Sequence, residues 1–114
     1  MTPGKLNLVC PQGATFSKRL QLFDSADAAI NLAGYTAAMQ ARQGYAGKTP
    51  LFSLSTAVGG GLTIVDNYIY ITISSAVTAA FKPGEYVYDL EITNGGVTDR
   101  LLEGKFTVTP EVTR

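Results

Sequence analysis

The sequence predicts an all-β protein: a single Ig-like antiparallel β-sandwich of seven to eight strands, with one short helical turn near residues 75–80. Three observations predict it. Residues 68–74, YIYITIS, place Ile69, Ile71 and Ile73 on one side and Tyr68, Tyr70 and Thr72 on the other, the two-residue period of a strand. β-branched and aromatic residues fill that stretch, as a pleated, half-buried surface favours. Turn signals recur at short intervals, with Gly59-Gly60-Gly61, Asp66-Asn67 and Asn94-Gly95-Gly96 each separating apolar runs.

The elements follow in order. KLNLV (5–9) alternates Leu6 and Leu8 with polar neighbours, which suits a short edge strand before Pro11. ATFSKRLQLF (14–23) sets Phe16, Leu20 and Leu22 on one face, with Lys18 as the exception. Asp24 to Asp27 form a polar turn, and Ile30 and Leu32 lead to a second turn at Gly34. AGYTAAMQAR (33–42) is written in helix-favouring letters. A two-turn helix there would be marginal alone and would point Arg42 inward. As a strand, Ala37, Met39 and Ala41 face one side, and Thr36, Ala38, Gln40 and Arg42 the other, so the strand reading prevails. Its small alanines suggest close packing on both faces.

LFSLST (51–56), LTIV (62–65) and YIYITIS follow as strands around the glycine and Asp66-Asn67 turns. SAVTAA (75–80) reads as the helical turn, with Ser74 or Ser75 as N-cap and Pro83 ending it. GEYVYDLEIT (84–93) puts Tyr86, Tyr88, Leu90 and Ile92 on one face and Glu85, Asp89 and Glu91 on the other. A hairpin at Asn94-Gly95-Gly96 returns a strand over 97–109, with Leu102, Phe106 and Val108 at one parity and Gly104 as a bulge or a close backbone approach. Tyr86, after Pro83-Gly84 and a helical turn, is either a tyrosine corner or an ordinary core aromatic with its hydroxyl at the rim.

Composition bounds the function. The 114 residues are expected to form one domain over 1–114, long enough to need no metal or disulfide staple. Only 16% of residues are charged, against about 25% in typical soluble domains. That leaves a Thr, Ser, Ala, Gln and Gly surface that tolerates being covered by neighbouring subunits. Nine basic residues balance nine acidic ones, so neither nucleic-acid nor anionic-membrane binding is expected. No apolar run is long enough to span a bilayer, and residues 1–10 lack a signal-peptide core. Cys10 is the sole cysteine, which rules out an internal disulfide and points to folding in a reducing cytoplasm.

Little chemistry is written into the chain. Without histidine, a Ser or Cys nucleophile lacks its usual base. Cys10 reads as a small apolar residue; a reactive thiol would have only Lys5 nearby, and an intermolecular disulfide is the remaining alternative. Asp24, Asp27, Ser25 and Asn31 could offer oxygens to Ca²⁺, but their spacing does not match an EF-hand, and turn-forming aspartates explain them. Glu85, Asp89 and Glu91 could mimic a glycosidase carboxylate pair, or form a solvated face offset by Arg100 or Lys105. No catalytic residue, metal or cofactor is therefore expected. Tyr35, Tyr45, Tyr68, Tyr70, Tyr86 and Tyr88 could stack on sugars or form an interface. If the isoleucines of YIYITIS are core, Tyr68 and Tyr70 are the contact residues; the alternative packs them under the loop 44–50.

One segment adds a family likeness. INLAGYTAAMQAR (30–42) resembles a segment of small β-sandwich domains in virion proteins of tailed bacteriophages, where a hydrophobic-x-Leu-x-Gly-Tyr-Thr element precedes a strand carrying Met-Gln-x-Arg. Gly13 with Thr15-Phe16, the Ser75 to Phe81 turn, Gly84 to Glu91, Leu101 to Gly104 and Thr107 to Arg114 match in order, so the likeness covers nearly the whole chain. It is similar to the N-terminal sandwich domains of baseplate and fibre-anchoring proteins. The matched residues are mostly fold residues. Many relatives continue into a fibre or coiled coil, whereas this sequence stops at Arg114. The resemblance implies a non-enzymatic virion structural protein, made in the bacterial cytoplasm, that acts as a tail, baseplate or neck adaptor or a decoration. Its implied partners are other virion proteins, in a homo-oligomer or symmetric ring that multiplies weak contacts. The candidate interface residues are Tyr68, Tyr70, Tyr45, Gln40, Arg42 and Arg114, the last on a terminal segment crossing to a neighbour. The rival reading is a carbohydrate-binding or host-surface adhesion module.

Overall fold

Alternation decides which side of each strand is buried, and two sheets result. The computed structural model describes residues 4–21, 31–44 and 50–111. The order is β1 (Gly4–Lys5), β2 (Leu8–Pro11), β3 (Phe16–Gln21), β4 (Thr36–Arg42), β5 (Pro50–Ser55), β6 (Leu62–Val65), β7 (Tyr68–Ile73), α1 (Ser75–Ala79), β8 (Gly84–Asn94) and β9 (Val97–Thr109). One sheet runs β1-β9-β8-β4-β5, with β2 also on β9; the other runs β3-β7-β6. The architecture is the expected all-β sandwich. β1 and β2 lie along the same strand, so counted as one interrupted strand they bring the total to eight.

One part of the antiparallel expectation is corrected. β1 and β2 pair parallel to β9, with Leu8 opposite Phe106 and Cys10 opposite Val108. Hydrophobic period reports which face of a strand is buried but not its direction, so a parallel partner nearly a chain-length away left no local signal.

The inner faces meet around Phe106, which is wholly buried. Phe16 and Phe52 meet its ring edge-on at 5.4 and 5.0 Å, and Phe81 stacks on Phe52 at 5.9 Å. These offset and T-shaped pairings suit the ring quadrupoles and add to the area they bury. Ala37, Met39 and Ala41 of β4 lie beneath them, while Thr36, Ala38 and Gln40 are exposed. The helix-favouring letters of β4 yield to its two neighbours, β5 and β8, which satisfy its backbone on both edges. The strand begins from a turn in which the Tyr35 amide bonds the Leu32 carbonyl at 3.1 Å and Gly34 adopts φ +79°, as the third position of a type II turn requires.

The β8–β9 hairpin closes through Gly95 and Gly96, at φ +60° and +83°, a primed turn suited to the twist of the strands. A bulge after Leu90 lets Leu101 and Leu102 both face inward. Gly104 is thus not the bulge but the close approach. A Cβ there would lie 2.2 Å from the Leu6 carbonyl oxygen. That carbonyl also accepts a 2.5 Å bond from the Tyr88 phenol. Next to it, Asn7 Oδ1 takes the Lys105 amide at 3.0 Å where the strand is interrupted.

At the opposite end, Gln12 joins three elements. Its amide nitrogen donates to the Phe81 carbonyl at 2.8 Å, and its Oε1 accepts from the Glu111 amide at 3.0 Å. Thr78, fully buried on α1, donates to the Ala14 carbonyl at 2.7 Å. Tyr86, almost buried at the start of β8, donates to the Lys82 carbonyl at 2.6 Å, which is the tyrosine-corner arrangement.

Candidate interaction surface

Because Ile69, Ile71 and Ile73 are buried, the other parity of β7 points out of the sandwich. Tyr68 and Tyr70 therefore lie on the outer face of the three-stranded sheet, both half-buried, with ring centroids 6.4 Å apart and planes tilted by 45°. The register puts Arg19 and Thr63 beside Tyr70, and Gln21 and Val65 beside Tyr68. The Arg19 guanidinium stands over the Tyr68 ring, 4.8 Å from its centroid. Val65 is 47% exposed at the margin. The described residues of this face are Ser17, Arg19, Gln21, Thr63, Val65, Tyr68, Tyr70 and Thr72, and Arg19 is the one charged residue among them.

The outer face of the larger sheet is different in kind. Lys5, Glu103, Asp89, Gln40 and Ser53 form one row across five strands. Glu91 opposes Arg100 in the next row, and Lys105 opposes Val87. Arg42 donates to Gln40 Oε1 at 2.8 Å. Arg100 Nε lies 3.5 Å from Asp89 Oδ2, which decides between Arg100 and Lys105 as the partner of that carboxylate. The pair is partly exposed, so it contributes at most about 1 kcal/mol. Among the described residues, four basic (Lys5, Arg42, Arg100, Lys105) and four acidic ones (Glu85, Asp89, Glu91, Glu103) share this face, and their charges balance.

The sequence-predicted residues are consequently not one site. Tyr68 and Tyr70 occupy one face of the sandwich, and Gln40 and Arg42 the opposite face. Tyr45 and Arg114, the rest of the loop over 45–49, and the Asp24 to Asp27 turn lie outside the described residues. Arg19 and Val65 belong with the tyrosines, and the sequence reading missed both. Arg19 has outward parity relative to Phe16 and Leu20, but only the β3–β7 pairing brings it to Tyr68.

Cys10 is fully buried, and burial pushes its thiol above the ordinary range. Among the described residues, the Tyr68–Tyr70 face carries no carboxylate. It offers two amphipathic rings and one delocalised, weakly hydrated cation on a flat support, which suits desolvation against another surface.

The fold and this face define a two-sheet all-β sandwich with one aromatic, nearly uncharged outer sheet. No family model matches the chain, and no curated protein matches its sequence. A solved structure of an uncharacterized protein from Bacillus anthracis str. Ames is similar in chain path, with 12% identity, covering 96% of this chain and 85% of that one, at a TM-score of 0.49. A likeness at that level carries no argument about function.

Proposed function

We propose that this chain is a non-enzymatic structural protein of a tailed-phage virion that joins neighbouring subunits through the outer face of β3-β7-β6. The single observation that carries the contact surface is the division of charge. Among the described strand residues, eight charged side chains occupy one outer face and Arg19 alone occupies the other, so the tyrosine face costs least to desolvate. The resemblance of residues 30–42 and 84–91 to phage sandwich domains supplies the class of particle. A sugar platform is less well served, because Arg19 covers one side of Tyr68 and the two rings are not coplanar.

Electron microscopy of the intact particle encoded with this chain tests the reading. The protein should appear in the virion with Tyr68 and Tyr70 against another subunit, and Tyr70→Glu should abolish its incorporation while leaving the isolated chain folded. Glycan binding at millimolar affinity or better (roughly 4 kcal/mol), lost in Tyr68→Ala or Tyr70→Ala, would replace this reading with adhesion.

A further inference from the structure

Asn94 is the only asparagine of the chain that glycine follows. The fold also treats it differently from the others. Asn7 Oδ1 holds the Lys105 amide and Asn31 Oδ1 the Ala33 amide, each at 3.0 Å. Asn67 is partly buried and precedes Tyr68, whose side chain crowds its own backbone nitrogen. Asn94 stands exposed at the tip of the β8–β9 hairpin, and among the described residues its side-chain amide has no hydrogen-bond partner.

The backbone nitrogen of Gly95 is equally free. Among the described residues its N–H reaches no backbone acceptor, and a Cβ built on Gly95 would meet nothing within 4 Å. One rung of the ladder keeps the two groups apart. Asn94 pairs with Val97, and the backbone rotation that carries the Asn94 side-chain carbon onto the Gly95 nitrogen breaks that pair. It is the last rung of the hairpin, and Val97 is 63% exposed, so burial does not hold it shut. Terminal rungs of this kind open at almost no cost. The next rung, Thr93–Thr98, is tied by a 2.9 Å hydroxyl–hydroxyl bond and need not open.

We propose that Asn94 is a self-modification site, deamidated in the folded chain with water as the co-reactant. The Gly95 nitrogen gives its proton to solvent and bonds to the Asn94 Cγ. The Cγ–Nδ2 bond breaks, and ammonia leaves with a proton from solvent, so that a cyclic imide remains. Water then opens the imide at either carbonyl, and nothing is oxidised or reduced. Attack at Cγ leaves aspartate on an unchanged backbone. Attack at the main-chain carbonyl leaves isoaspartate, whose extra methylene lengthens the backbone within a tight turn that has no slack. Both products give a chain of zero formal net charge a negative one. The new carboxylate lies beside the turn that starts β4, since Asn94 Nδ2 is 3.8 Å from where a Cβ on Gly34 would stand. The proposal is independent of the virion reading, since it concerns the purified chain alone.

Peptide-level mass spectrometry of the full chain, held in warm, mildly alkaline buffer, tests it. The peptide containing Asn94 should gain the mass of an amide-to-acid conversion and separate into aspartyl and isoaspartyl forms. An isoaspartyl methyltransferase should label only the second. Asn7, Asn31 and Asn67 should stay amides over the same period. Because the hairpin tip gives little protection, the rate in the folded chain should fall within about ten-fold of the rate in denaturant. Asn94→Gln, whose longer side chain closes the corresponding ring far more slowly, should remove the acidic form from ion-exchange profiles. Conversion in the folded chain slower than in denaturant by more than about ten-fold overturns the proposal. So does earlier conversion at another asparagine, or an acidic form that persists in Asn94→Gln.

Discussion

The Tyr86 phenol donates to the Lys82 carbonyl at 2.6 Å, fastening the start of β8 to the corner that follows α1. Tyr86→Phe keeps the ring and removes the bond. The expected loss is about 1 kcal/mol, read as a lower denaturant midpoint with an unchanged slope. A stability equal to wild type would make Tyr86 a core aromatic and nothing more.

Gly104 is where the N-terminal strand comes nearest to β9. In Gly104→Ala the added methyl meets the Leu6 carbonyl, which must move and release the Tyr88 phenol. We expect a loss of about 2 kcal/mol, with amide protection at Leu6 and along β2 falling before that of β4 or β8. A cost under about 0.5 kcal/mol would mean that β1 adjusts freely.

Tyr88 sets a limit at alkaline pH. Burial pushes its phenol from 10.0 up to about 12, so the folded chain retains a proton that the unfolded chain releases between those values. Its contribution is complete below pH 10 and is lost as pH rises towards 12. Over that window wild type should lose about 1.4 kcal/mol per pH unit more than Tyr88→Phe does. Parallel pH dependence in the two proteins would contradict the shift.

Cys10 should be inert while the chain is folded. It is enclosed at zero exposure, and its raised thiol pKa leaves little thiolate at neutral pH. A disulfide reagent should modify it at least about a hundred-fold more slowly than in denaturant, at a rate tracking global unfolding. Rapid labelling of the native chain would reopen the intermolecular disulfide as a role for this residue.

Local pattern carried most of the elements. LTIV emerges as β6 and YIYITIS as β7, the latter with its isoleucines on the buried face, and β4 kept its strand period despite letters that favour helix, because Ala37, Met39 and Ala41 recur at every second position. What eluded the sequence depends on long-range pairing. The parallel direction of β1 and β2, the bulge that turns both Leu101 and Leu102 inward, and the meeting of Arg19 with Tyr68 each need a partner strand to be placed first. Nor does local pattern separate Gln40 and Arg42 from Tyr68 and Tyr70, which lie on opposite faces, for the same reason. Parity says that each residue faces outward, but not from which sheet. The close packing that the alanines of β4 suggested on both faces is present on the inner one, while Ala38 stands exposed on the outer one.

The parallel seam between the first and last strands has a mechanical consequence. Tension applied at residue 4 and residue 109 pulls β1 and β2 one way along their axis and β9 the other. The rungs from Gly4–Leu102 to Pro11–Thr109 then share the load in shear instead of opening one after another like a zipper. A sandwich joined this way resists stretching along the seam more than peeling across it, and Gly104, by letting the Leu6 carbonyl in close, sits in the middle of the loaded row.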